Sequence, residues 1–181
     1  MGQEPWKEFF AGDDSEGALL QKGIKLAPAL LNTTADDINY LFDKAEDFNI
    51  KIKGEKLEAI FDLLTLKLKL IDGLALLYLK KEARDYFTNA LMLCIGRVLI
   101  HFLEQIYSKE VSDKIRRGAT SHFYNFSWEN LKEYDEYTEL GDILLHFSNK
   151  FAEKYTKNND VKNMSIFTKS IVDALSETIP E

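Results

Sequence analysis

Residues 83–106 read ARDYFTNALMLCIGRVLIHFLEQI, and they carry the clearest helical pattern in the chain. Apolar residues recur at steps of three or four along one side, and further apolar residues fill much of the rest: Tyr86, Phe87, Ala90, Cys94, Val98 and Phe102, then Met92, Ile95, Leu99 and Leu103. A helix that is apolar on nearly all sides is typical of the centre of a helical protein. We therefore predict a buried central helix over 83–106, against which the neighbouring segments pack.

Helical spacing also appears on both sides of this segment. Thr34 precedes Ala-Asp-Asp, which predicts a helix start with acidic residues in its first turn. Further helices are predicted from Glu55, from the capped start at 127–130 onward to Tyr155, and over 161–178. Residues 1–33 are weakly patterned, so we expect short helices laid over the core.

Two short stretches allow another interpretation. Residues 50–53 and residues 66–70 alternate between apolar residues and lysine, which is the period of a β-strand. The alternative is a small hairpin packed on the helices. The helical context of residues 66–70 favours the helix.

The chain has 181 residues, with three prolines and nine glycines. Sandwiches and barrels need many turns, so this scarcity of helix-breaking residues favours helices. Domains cluster near this length, and the chain contains no convincing linker. We predict an all-α single domain over 1–181, a bundle of about six to eight helices.

The formal net charge of −7 and the isoelectric point near 5.1 argue against general coating of nucleic acid. The N-terminus shows no signal peptide, and the longest apolar stretch, 90–103, is shorter than the roughly 20 residues that span a bilayer. We expect a cytoplasmic protein without membrane contact. The single cysteine, Cys94, is predicted to be a small buried hydrophobic residue.

Few polar groups in the predicted helices suggest chemistry. Arg97, His101 and Glu104 share one stripe of the central helix, and we interpret them as a buried polar stripe with a histidine between two charges. If the later helix faced this one, His101, Glu104, Asp142 and His146 would offer nitrogen and oxygen ligands to zinc or iron. The chain has no Glu-x-x-His motif, however, so we predict no metal site and no cofactor.

An acidic cluster lies in the helix predicted from Thr34. Its members are Asp36, Asp37, Asp43, Glu46 and Asp47. Such clusters can bind Mg²⁺, but Asp36 and Asp37 are better explained as acidic residues of the first helical turn. No second acidic motif of comparable density faces them in the sequence.

Residues 109–128 combine cations with aromatic rings, a mixture suited to single-stranded nucleic acid. The predicted binding residues are Lys109, Lys114, Arg116, Tyr124, Phe126 and Trp128. The six residues from Arg117 to His122 have the spacing Arg, four residues, His, which is similar to the motif of HEPN-type ribonucleases. That resemblance implies an all-helical fold, an arginine that holds phosphate and a histidine that transfers a proton at a cleft formed by a dimer. By this resemblance Arg117 and His122 are the candidate catalytic residues; the alternative is a basic helix end followed by an aromatic loop over the core.

Two functions follow as hypotheses. The first is a small acidic helical binding or regulatory protein that acts through a protein partner or a homo-oligomer, because residues 129–142 are acidic while residues 109–117 are basic. The second is a protein that binds or processes single-stranded RNA through Arg117 and His122. Whether the chain is an enzyme stays open at this point. Motifs for nucleotide-driven chemistry and for Ser-His-Asp chemistry are missing from the sequence.

Overall fold

A computed structural model describes residues 4–106 and 140–157, together with Ile166, Lys169 and Ser170. Within these ranges five helices pack together: α1 (Glu4–Phe10), α2 (Glu16–Asp47), α3 (Lys56–Tyr78), α4 (Lys81–Ile106) and α5 (Leu140–Tyr155). The described residues contain no strand, which confirms the all-α prediction. The predicted count of six to eight helices concerns the whole chain and stays a prediction. Most of the helix expected over 161–178 lies outside the described residues.

The start of α2 differs from the sequence prediction. Ser15 is extended, and its side chain accepts a hydrogen bond from Ala18 N, so the helix begins at Glu16 rather than near Thr34. Thr34 is instead buried in the middle of α2, where its hydroxyl donates to Leu30 O at 2.6 Å. A threonine that satisfies its hydroxyl on the preceding turn is compatible with a helix interior. The prediction of only short helices over residues 1–33 is therefore wrong for residues 16–33, which belong to the long helix α2.

Pro28 lies inside α2. Its ring nitrogen has no hydrogen to donate to the carbonyl of Ile24, a defect that usually ends or bends a helix. The helix continues because its buried stripe extends on both sides of the proline, through Leu19, Gly23, Ala27, Leu30, Leu31, Ile38, Leu41, Phe42 and Ala45. Tertiary packing thus outweighs the local preference of proline.

The core is formed mainly between α2, α3 and α4. Gly23 allows α2 and α4 to approach closely, since a Cβ atom at this position would lie 3.4 Å from the Cα atom of Leu91. The helix predicted over 83–106 is confirmed. One of its faces is exposed, at Leu93, Arg97 and His101. A central position of α4 in the whole molecule stays a prediction.

The segment between α2 and α3 contacts the end of α5. Lys53 N donates to Tyr155 O at 2.8 Å, and Lys157 N donates to Lys51 O at 2.8 Å, which places Ile52 in an isolated antiparallel bridge with Thr156. Residues 66–70 are helical and buried or half-buried, so the hairpin alternative is wrong. The alternation at residues 50–53 instead marks an extended link that ties α5 to the body of the protein.

Candidate functional site

The predicted nucleic-acid site lies outside the described residues. This holds for all of its members: Lys109, Lys114, Arg116, Arg117, His122, Tyr124, Phe126 and Trp128. Their assignment as binding or catalytic residues stays a prediction.

The polar stripe of α4 is not buried where the structure describes it. Arg97 and His101 are both exposed, so the prediction of a buried stripe is wrong for these two residues, and the side chain of Glu104 lies outside the described part. Cys94 is buried, as predicted, and desolvation raises the pKa of its thiol despite the charge of Arg97. A thiol in this environment is a poor nucleophile.

The ligand types considered for a metal do not gather within the described ranges. His101 and Asp142 are exposed and His146 is half-buried. Residues 4–106 and 140–157 contain no group of three or more histidine, cysteine, aspartate or glutamate residues arranged to hold a metal ion.

The acidic residues of α2 have separate environments. Asp37 pairs with Lys67 and Asp47 pairs with Lys44, whereas Asp36, Asp43 and Glu46 are exposed. The interpretation of Asp36 and Asp37 as acids of a first helical turn is wrong, because α2 begins about five turns earlier, at Glu16.

Lys67 is the centre of a buried polar cluster between α2 and α3. Its side chain is 7% exposed, and its ammonium group donates to Asp37 Oδ2 at 2.6 Å and to Thr33 Oγ1 at 3.3 Å. Desolvation lowers the pKa of Lys67, and the hydrogen bond and charge of Asp37 oppose that change. Both acceptors come from the protein, so the cluster holds α2 and α3 together.

A second cluster joins α3 to α5. Tyr155 is fully buried, and its hydroxyl donates to Asp62 Oδ2 at 2.8 Å. Lys154 reaches the same carboxylate oxygen at 2.7 Å and Glu58 at 3.0 Å. Desolvation, followed by the hydrogen bond to Asp62, raises the pKa of Tyr155 well above its usual range. Tyr155 is therefore a hydrogen-bond donor at neutral pH and unsuited to act as a base.

A third cluster fixes the turn from α3 to α4. The guanidinium of Arg84 donates to both carboxylate oxygens of Asp72, at 2.9 and 2.5 Å, and Thr88 Oγ1 donates to Asp72 Oδ1 at 2.8 Å. Such bidentate pairs constrain orientation strongly. The charge of Asp72 is thus balanced inside the protein.

The outer face at the end of α3 carries the most exposed leucines among the described residues. Leu76 is 57% exposed and Leu77 is 62% exposed. Gly73 lies one turn before them and is also exposed, with no atom within 4 Å of the position that a Cβ would take. We call Gly73, Leu76 and Leu77 the α3 leucine patch. It places two exposed leucines side by side, an apolar feature that a partner could cover.

Two lysines are the exposed charged residues that follow the α3 leucine patch most closely in the chain. Lys80 and Lys81 follow directly after the C-cap residue Leu79, and both are exposed. Lys69, one turn before Gly73 on the same side of the helix, is half-buried. The exposed acids Glu82 and Asp85 follow the two lysines on α4.

Comparison with known proteins finds no matching family model, no matching curated protein and no matching solved structure. In the part of the chain that the structure describes, no helix combines the length and the apolar character needed to span a membrane.

Sequence reasoning missed the α3 leucine patch and the Lys67 cluster. Residues 70–79 read LIDGLALLYL and are apolar on nearly every side of a helix, so periodicity does not tell which leucines face the core. The two lysines after this run were the available signal for its exposed end. The burial of Lys67 has no such signal, because Lys67 and Lys69 look alike in the sequence.

Proposed function

We propose that this protein is a small acidic helical binding or regulatory protein that acts through contact with another protein or through self-association. The observation that carries the proposal is the α3 leucine patch, where two adjacent leucines are each more than half exposed. Contiguous apolar surface is costly to leave in water and often marks an interaction site.

The polar clusters of the body support a binding function in a different way. Lys67, Asp62 and Asp72 each have protein partners, so these buried or half-buried charges are occupied in stabilising the helix contacts. In this proposal the α3 leucine patch makes the contact with the partner, and the buried charges stabilise the packing of the helices that carry the patch.

Gel filtration of untagged protein with light scattering, combined with the ratio of absorbance at 260 and 280 nm, tests this proposal. We expect a mass above that of the 20.9 kDa monomer, or a retained protein partner in pull-down from native lysate. The L76Q/L77Q variant should lose that association. A monomer that retains nothing in either experiment would contradict the proposal.

The alternative function is binding or processing of single-stranded RNA through Arg117 and His122. Its support is the sequence pattern of cations and aromatic residues over 109–128. It predicts salt-sensitive RNA binding despite the acidic net charge, and RNA cleavage that is lost in His122→Ala. Absence of RNA binding at low salt would exclude this function.

A further inference from the structure

We propose that the α3 leucine patch is a docking site for an acidic amphipathic helix of a protein partner. This inference rests on the proposed binding function and specifies the chemistry of the partner. An amphipathic helix places apolar residues on one stripe, and such a stripe would cover Leu76 and Leu77. Acidic residues beside that stripe would face the lysines next to the patch.

The position of the charges supports an acidic partner. The balancing of Asp72 by Arg84 leaves Lys80 and Lys81 as the exposed charges closest to the leucines in the chain, and the exposed acids Glu82 and Asp85 follow them on α4. Gly73 has no side chain beside the two leucines, so a partner helix can approach the backbone of α3 at this position.

The same features argue against two other occupants. A second copy that used the same patch would bring lysines against lysines, which disfavours a two-fold contact. An anionic membrane would attract the lysines but repel the chain's net charge of −7. Helices that lie in a membrane surface also bury a wide apolar face, whereas much of α3 is already buried inside the protein.

Two labelled peptides test the proposal. The first is a helix of about 18 residues with leucine at steps of three and four and glutamate at the other positions, and the second has lysine in place of every glutamate. Binding to full-length protein is measured by fluorescence anisotropy at low and physiological salt. The mean negative field of the protein favours the basic peptide, so stronger binding of the acidic peptide would report the local lysines.

We expect the acidic peptide to bind at least about 10-fold more tightly than the basic one, and K80E/K81E to reverse this preference. L76Q/L77Q should weaken binding of the acidic peptide by a similar factor. The matched control is L93Q/L145Q, which changes two leucines of comparable exposure on α4 and α5 and should leave binding unchanged. Circular dichroism of each variant verifies that the fold is retained.

Three results would overturn the inference. They are equal or weaker binding of the acidic peptide, binding to vesicles of phosphatidylglycerol and phosphatidylcholine that L76Q/L77Q abolishes, and a dimer in light scattering that L76Q/L77Q converts to monomer. The last result would leave the proposed function intact and identify a second copy as the occupant. Failure of both the peptide and the gel-filtration experiments would remove the binding function as well.

Discussion

Lys67 shows how a charged residue can be buried for packing reasons. Its four-carbon stem fills space between α2 and α3, and its ammonium group ends on Asp37 and Thr33. A buried lysine with a lowered pKa is often a candidate for catalysis. Here the paired carboxylate and the small exposed fraction favour a structural role.

Removal of Asp37 tests that role. D37A leaves the ammonium of Lys67 without its carboxylate partner, and we expect the free energy of unfolding in urea to fall by about 2–3 kcal/mol. The double variant D37A/K67M should recover most of the loss, because methionine fills similar space without a charge. D43A is the matched control, since Asp43 is exposed on the same helix, and should change stability by less than about 0.5 kcal/mol. Equal effects of D37A and D43A would contradict the structural role of the pair.

Tyr155 predicts a stability change at alkaline pH. Its folded-state pKa is raised above the ordinary value of 10.0, so above pH 10 the folded state holds a proton that the unfolded state has lost. The stability from this group is therefore complete below pH 10 and is lost as the pH rises further. Y155F should cost about 1–2 kcal/mol at neutral pH through loss of the bond to Asp62, and should remove this alkaline loss.

Urea unfolding of the wild type and Y155F at matched pH values measures this difference. The lowered pKa of Lys67 changes stability in the opposite direction. As the pH approaches 10.5 the unfolded state binds more protons than the folded state, so this group makes the free energy of unfolding rise with pH. The comparison of two proteins that share Lys67 cancels its contribution. If the difference in free energy of unfolding between wild type and Y155F stayed constant from pH 9 to about pH 11, the inference that the folded state retains the hydroxyl proton of Tyr155 would be wrong.

Helices α2, α3 and α4 show which parts of the fold the sequence could predict. The start of α3 after Glu55 and the helix over 83–106 were predicted, because their apolar spacing is regular over many residues. The start of α2 was not predicted. Thr34 followed by acids looks like a helix cap unless the residues before it are known to form a buried helical stripe. The exposed end of α3 could not be predicted either, because the choice of the buried side depends on where α1 and α2 pack.

Pro28 leads to a prediction about α2. P28A restores a donor for the carbonyl of Ile24 in an exposed position of the helix, so we expect the free energy of unfolding to rise by about 1–2 kcal/mol. The counterpart A29P places the same defect one residue later and should cost about 3 kcal/mol. Urea unfolding followed by far-ultraviolet circular dichroism measures both. A loss of stability in P28A would mean that the packing of α2 depends on the proline itself.

The predicted single domain over 1–181 is tested by the two tryptophans of the chain. Trp6 packs with Phe9 and Phe10 on α1, and Trp128 belongs to the aromatic segment outside the described residues. In W128F the fluorescence reports the surroundings of Trp6, and in W6F it reports those of Trp128. A single cooperative domain requires the same urea midpoint for each fluorescence signal and for circular dichroism of the same variant.

We expect coincident transitions in both variants, because elements that share one hydrophobic core unfold cooperatively. Comparison of two probes within each variant removes the effect of the substitution on stability. A fluorescence midpoint in W6F that falls well below the circular dichroism midpoint would show that the segment around Trp128 unfolds separately. The candidate residues Arg117 and His122 would then belong to a unit of their own, and the RNA hypothesis would have to be tested on that unit apart from the α3 leucine patch.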